Sequence, residues 1–325
     1  MSEHLLEVRH LKKYFRLGKH KVLKAVDDVS FYLNEGETLG IVGESGCGKT
    51  TCGKTCIGML DKTEGSVCYR GKEIHEMNKK EFFGFTGQVQ MIFQDPYSSL
   101  DPHMRVYDII AEGLRIHHLT TTKEQEKEQV YKLLKNVGMN IEYANRYVHE
   151  FSGGQRQRIG IARALALNPK VIFCDEPVSA LDVSVQAQII NLLEKLKKER
   201  NLALLFVAHD LAVVQHISDR IGVMYLGTMV ELGTTEQIME KAVHPYTKAL
   251  LSAIPIADPK EEKERQQILL KGDIPSPTEE IQGCRFAGRC PNAKECCMKK
   301  APKIQEIEPG HFVACHLYTG GMENE

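Results

Sequence analysis

The stretch Gly43-Glu44-Ser45-Gly46-Cys47-Gly48-Lys49-Thr50 constrains this chain more than any other. Thr38-Leu39-Gly40-Ile41-Val42 precedes it and reads as a strand buried on both faces, and a helix from about Lys49 to Met59 follows. Glycines in a loop between strand and helix let successive backbone N–H groups turn toward one anion at the helix N-terminus, the context of a phosphate-binding loop. Lys49 is then placed to hold the β- and γ-phosphates of a nucleotide, and the Thr50 hydroxyl to complete a Mg²⁺ shell. A Gly-rich turn that merely happens to carry Lys-Thr is the plainer alternative, and the strand-loop-helix context argues against it.

A second apolar strand, Val171-Ile172-Phe173-Cys174, ends in the carboxylates Asp175 and Glu176. At the C-terminal edge of a parallel sheet this pair stands beside the phosphate loop. Asp175 suits positioning Mg²⁺ through its water shell, and Glu176 suits polarising an attacking water. Two acids after a strand often only cap the next helix, but the phosphate loop favours the chemical reading.

Between these strands the periodicity becomes helical, with Ile109, Ile110 and Leu114, then Val130, Leu133, Leu134 and Val137. The segment from Asp95 to about Glu150 therefore reads as a helical insertion. The opening segment, Leu5 to Gly36, reads as short strands, and another apolar strand recurs at Leu204-Leu205-Phe206-Val207. Such alternation of strands and helices predicts an α/β fold on a largely parallel sheet. Beyond Leu251 the composition shifts to Pro255, Pro259, the charged run 260–265 and Pro275-Ser276-Pro277, which reads as a linker before a small tail.

With 325 residues, there is room for one large domain and an appended module. A formal net charge of -1 gives no global signal for nucleic acid or an anionic membrane surface. The longest nearly uninterrupted apolar run, Leu202 to Ala208, is far short of the roughly 20 residues needed to cross a bilayer. Met1 to His10 lacks the apolar stretch of a secretory signal, so a cytosolic address is expected and any membrane role must come through partners. Reduced thiols are expected for the ten cysteines. Five of them (Cys284, Cys290, Cys296, Cys297, Cys315) crowd the C-terminal stretch.

Phe151-Ser152-Gly153-Gly154-Gln155 resembles the signature motif of the ABC ATPases, with Phe in place of the usual Leu. Phe15, Gln94 after the strand Val89 to Phe93, Ser179-Ala180-Leu181-Asp182, and His209 after the strand Leu204 to Val207 follow in that family's order. Taken singly, each has an ordinary explanation: core, loop residue, helix cap, surface histidine. Their joint spacing carries the resemblance. It implies a P-loop NTPase fold with N-terminal antiparallel strands and a helical subdomain over about 95–165. It also implies that Phe15 stacks on adenine, that Gln94 senses the γ-phosphate and Mg²⁺, that Asp182 communicates across a dimer, and that His209 contacts the γ-phosphate. ATP is expected against Gly43 to Thr51, and Mg²⁺ at Thr50, Gln94 and Asp175.

Gln94-Asp95-Pro96-Tyr97-Ser98-Ser99-Leu100-Asp101-Pro102, the segment Asp175 to Gln188, and His244-Pro245-Tyr246-Thr247-Lys248-Ala249-Leu250 look like the ATPases of oligopeptide/dipeptide (and nickel) importers. That likeness implies an ATPase domain over 1–255 and a linker with a Cys-rich extension over 256–325. It also implies a second ATPase subunit, the same or different, facing this one head to tail. Ser152, Gly153, Gly154 and Gln155 of one would then complete the ATP site of the other. Two transmembrane permease subunits and, indirectly, an extracytoplasmic solute-binding protein complete the expected assembly at the cytoplasmic membrane face, with no nucleic acid.

In the tail, Cys284, Cys290, Cys297 and Cys315 match neither a Cys-x-x-Cys zinc ribbon nor the bacterial ferredoxin run. Their settings resemble the extension of peptide-importer ATPases, some of which carry a 4Fe-4S cluster. Structural Zn²⁺ and free thiols are the alternatives, and Cys296 competes with Cys297 for the third ligand position. A non-transport ABC ATPase acting on DNA or ribosomes is the rival function, but the long coiled-coil insertion of DNA-repair forms does not fit in the hundred or so residues between Gly48 and Ser152, and the sequence shows one cassette where ribosome-associated forms usually carry two. The solute, peptide or nickel or another, is not legible in these residues.

Overall fold

The computed structural model describes residues 4–18, 21–255, 267–270, 272–273, 275–276 and 278–318. Pro259, the charged run 260–265 and Pro277, on which the linker reading partly rests, lie outside the described residues. Among the described residues, the strands form one four-stranded and one eight-stranded sheet.

The smaller sheet is antiparallel and starts with β1 (Leu6–Leu17) and β2 (Lys21–Leu33), joined by β4 (Glu64–Tyr69) and β5 (Lys72–Glu73) in the order β2-β1-β4-β5. The sequence reads as several short strands here, whereas the chain forms two long ones. Register shifts between Val8, Leu11, Lys13 and Tyr14 interrupt the apolar-polar alternation without ending the pairing.

The larger sheet runs β11-β12-β10-β9-β3-β8-β7-β6. Its parallel part holds β3 (Thr38–Val42), β6 (Val89–Ile92), β7 (Val171–Asp175), β8 (Ala203–Val207) and β9 (Arg220–Tyr225). Every residue of β3, β7 and β8 is buried, as expected of parallel strands covered on both faces. β10 (Thr228–Thr234) turns back antiparallel on β9.

The helix after the phosphate loop, α1 (Lys49–Cys56), is shorter than the sequence predicts. Gly58 adopts φ 73° and donates to the Thr55 carbonyl while the Met59 N–H reaches back to Lys54, a left-handed C-terminal cap that stops the helix. α2 (Lys79–Gln88) precedes β6. The predicted helical insertion is present as α3 (Val106–Ile116) and α4 (Lys123–Asn136), with α5 (Gly153–Leu165) beside them. Ile110, Val130, Leu134 and Val137 are fully buried in their shared core. Glu126 of α4 takes a two-pronged hydrogen bond from Arg115 of α3, at 2.7 and 2.9 Å, and another from Tyr107. α6 (Val183–Arg200), α7 (Leu211–Ile217), α8 (Thr235–Lys241) and α9 (Pro245–Ser252) follow. Among the described residues, no helix is long and apolar enough to cross a membrane.

The C-terminal hairpin, β11 (Gln305–Glu308) and β12 (His311–Val313), adds to the edge of the large sheet by pairing with β10. Buried His311 meets buried Glu231 at 2.8 Å, and Glu231 also accepts from the N–H groups of Val243 and His244. A carboxylate removed from water needs such partners, and here they tie the hairpin to the sheet.

α1 lies so close to β7 that a Cβ on Gly53 would stand 2.2 Å from the buried Phe173 ring. Gly53→Ala gains about 1 kcal/mol of helix propensity. The clash costs about 1–3 kcal/mol and, against a ring with no room to move, sits at the upper end. Chemical denaturation should therefore show net destabilisation, and a more stable variant would contradict this packing.

Candidate active site

Two glycines set the shape of the phosphate loop. Gly48, at the head of α1, adopts φ 102°, and a Cβ there would lie 2.0 Å from the Ala25 carbonyl oxygen. Gly43 leaves β3 at φ 154°, where a Cβ would lie 2.2 Å from the carbonyl oxygen of Met224. Within the loop, the Lys49 ammonium is buried and donates to the carbonyls of Gly43 at 2.8 Å and Glu44 at 3.0 Å.

Neighbouring strand ends bring the polar groups to the loop. Thr50 Oγ1 donates to Asp175 Oδ1 at 2.6 Å, and Lys54 Nζ stands 3.9 Å from the other carboxylate oxygen. Asp175 is buried, and that burial raises its pKa above the ordinary 3.8 despite the Thr50 hydrogen bond and the Lys54 charge. One step beyond β7, Glu176 holds a left-handed backbone at φ 44°, with its N–H donating to the Val207 carbonyl at 2.9 Å. That conformation is costly for a non-glycine residue and aims the carboxylate. Gln94 Nε2 reaches it at 3.0 Å, and His209 Nδ1 lies 3.6 Å away. Gln94, Glu176 and His209 thus come from the ends of β6, β7 and β8.

A cleft of about 310 Å³ opens over this loop. Of the predicted residues, Phe15, Ser45, Gly46, Gly48, Lys49, Thr50, Thr51, Gln94 and Glu176 line it. Asp175 lies behind Thr50, and Cys47 is buried with its sulfur 3.8 Å from Lys49 Nζ. The Glu44 side chain points to Arg289 instead, at 2.9 and 3.0 Å. Ser152, Gly153, Gly154 and Gln155 stand outside the cleft at the start of α5. Exposed Ser152 accepts from the Gln155 N–H, while the Gln155 side chain accepts from the Ser152 N–H. A Cβ on Gly154 would meet Val185 at 2.5 Å, so this glycine lets α5 approach α6. Asp182 is exposed at the start of α6 and makes no side-chain cap.

Sequence reasoning missed Leu23, Lys24 and Ala25 of β2, and Leu226 and Gly227 at the turn between β9 and β10, all of which line the cleft. Leu226 and Gly227 both have positive φ, the mark of a tight hairpin turn. A Gly between two apolar runs signals such a turn, yet nothing local shows what it faces. Lys54, one helical turn after Thr50, was within reach of helix periodicity.

The C-terminal thiols Cys284, Cys290, Cys297 and Cys315 lie within electrostatic reach of one another. Burial pushes Cys284 up to about 11, with the other three adding to the rise. Burial likewise raises Cys290 and Cys315. Cys297 is buried and Cys296 exposed. Among the described residues, no group of three or more His, Cys, Asp or Glu side chains is arranged to hold a metal ion.

A family model described as ABC transporter matches residues 26–179, and one described as Oligopeptide/dipeptide transporter, C-terminal region, matches residues 230–297. The putative oligopeptide transport ATP-binding protein YkfD of Bacillus subtilis is 56% identical over 321 residues, covering 99% of this chain and 98% of the relative. The oligopeptide transport ATP-binding protein OppF of Escherichia coli is 51% identical, covering 96% of this chain and 95% of its own. Among solved structures, a dimeric ATP-binding cassette in a post-hydrolysis state bound to ADP and Pi matches with TM-score 0.65 and 27% identity, over 71% of this chain and 98% of that one. The cbiO1 protein of Clostridium perfringens, part of an ABC transporter complex, matches with TM-score 0.65 and 26% identity, over 74% and 92% of the two chains.

Buried Asp175 makes the site costly to the nucleotide-free fold. A carboxyl whose pKa is raised on folding holds its proton more tightly in the native chain, so its stabilising contribution is lost as pH rises from 3.8 through the raised value. Asp175→Asn should therefore raise the thermal midpoint of the nucleotide-free chain at neutral pH, and the gain should vanish in acid. Thermal melts at both pH values check this, and a lower midpoint at neutral pH would refute it.

Proposed function

The chain belongs to the ABC transporter ATP-binding proteins of the oligopeptide/dipeptide group, and from that membership we propose that it binds and hydrolyses ATP to power import of peptides across the cytoplasmic membrane. The observation that carries the chemistry is Glu176 held between Gln94 and His209 at the mouth of the phosphate-loop cleft. Phe15 stands at the cleft wall to stack on adenine, and Lys49 with the loop N–H groups holds the phosphates. Glu176 accepts the proton of the attacking water, with Gln94 and His209 fixing its carboxylate. Thr50 and Asp175 fit a Mg²⁺ site, since two hard oxygen donors meet at 2.6 Å and the buried carboxylate gains from a cation. Gln94 is the third residue we assign to it. Bound there, Mg²⁺ neutralises charge that develops on the phosphates.

Ser152, Gly153, Gly154 and Gln155 cap α5 outside their own cleft, and this supports their completing the cleft of a second ATPase subunit. The helix N-terminus they form suits phosphate charge. Asp182, exposed nearby in sequence to the catalytic strand, we assign to contact across that dimer. We place the chain at the cytoplasmic membrane face on two permease subunits, with a solute-binding protein engaged through them. The ATPase domain spans 1–255, including a helical subdomain over about 95–165, and 256–325 forms the linker and extension.

For the extension, the likeness of the settings of Cys284, Cys290, Cys297 and Cys315 to those of peptide-importer ATPases is what supports a 4Fe-4S cluster, with Zn²⁺ as the rival occupant, although these side chains are not arranged around a metal among the described residues. Buried Cys297 is a better third ligand than exposed Cys296. Cys284, Cys290 and Cys315, whose thiol pKa values are raised by burial, would be relieved if a metal centre took them as thiolates. Anaerobic purification should yield a brown protein with iron and sulfide, and a colourless zinc-loaded protein would select the rival.

Glu176→Gln should bind ATP yet lose hydrolysis by about two to three decades, the usual cost of one well-placed transition-state group. It should also accumulate as an ATP-bound dimer on size exclusion. Brisk turnover would remove the assigned role. Loss of labelled-peptide uptake in a deletion strain, restored by the wild-type gene and not by Glu176→Gln, tests the transport reading.

A further inference from the structure

The phosphate loop is held from outside by the C-terminal part of the chain. Arg289, on the short helical turn Ala287–Arg289 that leads into Cys290, places one guanidinium nitrogen 2.9 and 3.0 Å from the two carboxylate oxygens of Glu44. The pair is mostly shielded, with 11% of the Arg289 side chain and 24% of the Glu44 side chain exposed. The arginine is kept there although its Nε is buried with no hydrogen-bond partner among the described residues, a penalty the Glu44 contact must outweigh. Glu44 is anchored at two further atoms. Its N–H donates to the Tyr246 hydroxyl at 3.0 Å, and its carbonyl accepts from Lys49. Tyr246 in turn packs edge-on against Tyr225 and beside Phe286, three residues before Arg289.

Neighbouring Arg285 reaches the turn at Leu226, which also lines the cleft. It donates to the Leu226 carbonyl and to Asp27, which also accepts from Tyr14 and whose N–H reaches the Gly227 carbonyl. The segment carrying Cys284 and Cys290 therefore holds both the phosphate loop, at Glu44, and the turn at Leu226 that adjoins it.

We propose that Arg289 is a positioning residue for nucleotide binding: from the C-terminal extension it neutralises Glu44 and fixes the first turn of the phosphate loop. A carboxylate in a loop that must accept a polyanion works against binding unless its charge is cancelled. Arg289 is the cation that meets both of its oxygens through one nitrogen, and this charge-assisted contact also fixes where the loop backbone stands. The inference rests on the reading of this loop as an ATP site.

The test measures fluorescent ATP-analogue binding with Mg²⁺ to the full chain. Arg289→Ala should weaken binding about tenfold, as expected when a shielded charge loses its partner. Arg289→Lys, which keeps the charge on a shorter stem, should fall between. The decisive variant is Arg289→Ala combined with Glu44→Gln, which removes the stranded carboxylate and should recover most of the lost affinity. A role confined to folding the extension would show no such rescue. Should Arg289→Ala fail to fold, Arg289→Gln, which keeps the stem packed, serves in both arms. Unchanged affinity in the single variant, or no rescue in the double, overturns the proposal. Absence of binding by the wild-type chain would instead overturn the ATP reading beneath it.

Discussion

The parallel register of β3, β8 and β7 is the constraint from which the rest of the site follows. Ile41 stands opposite Val207, and Val207 opposite Asp175, so the three strands leave the sheet side by side at one edge. One residue of slip along a strand is about 3.3 Å, longer than the 2.6 Å hydrogen bond between Thr50 and Asp175. A slip would also turn each buried side chain to the other face, which strands buried on both faces resist through packing alone. The site's geometry is thus a by-product of core packing, with Gly53 against Phe173 as one close approach between helix and sheet.

Much of this was legible because the informative residues are local. The phosphate loop, the Asp175-Glu176 strand end and the cap at Ser152 each declare themselves within a few residues, and the structure brings the first two together. Helical periodicity likewise anticipated α3 and α4. The misses share a different physics. The long strands β1 and β2 were read as short because bulges break their alternation. Leu226, Gly227 and Lys24 reach the cleft only through sheet assembly, and their local sequence reads as an ordinary hairpin and strand. Arg289 lies 245 residues from Glu44, so no spacing rule could pair them.

Placement of the signature residues is what favours the proposed reading that a second subunit completes the site. Ser152 and Gln155 satisfy each other in a reciprocal cap, and Gly154 is committed to packing α5 on α6. The helix start is therefore rigid and ready, yet it does not line its own cleft. A rigid donor set held away from the phosphates favours a transition state that forms only when a second subunit docks. On that proposed arrangement, hydrolysis would be tied to closure, because binding and assembly would become one event.

Glu44 shows how the two ends of the chain come to share that event. The ABC transporter match ends at residue 179 and the C-terminal-region match begins at 230, as though they were separate units. Yet Tyr246 and Arg289, both from the second, hold a residue inside the defining loop of the first. The contact is short, shielded and charged, so losing either side leaves an uncompensated ion beside the phosphates. A segment needed only to anchor the chain elsewhere has no use for that risk. One that balances the charge of the nucleotide loop does, and the turn that carries Arg289 is itself flanked by Cys284 and Cys290, whose backbones are hydrogen-bonded to Ala287.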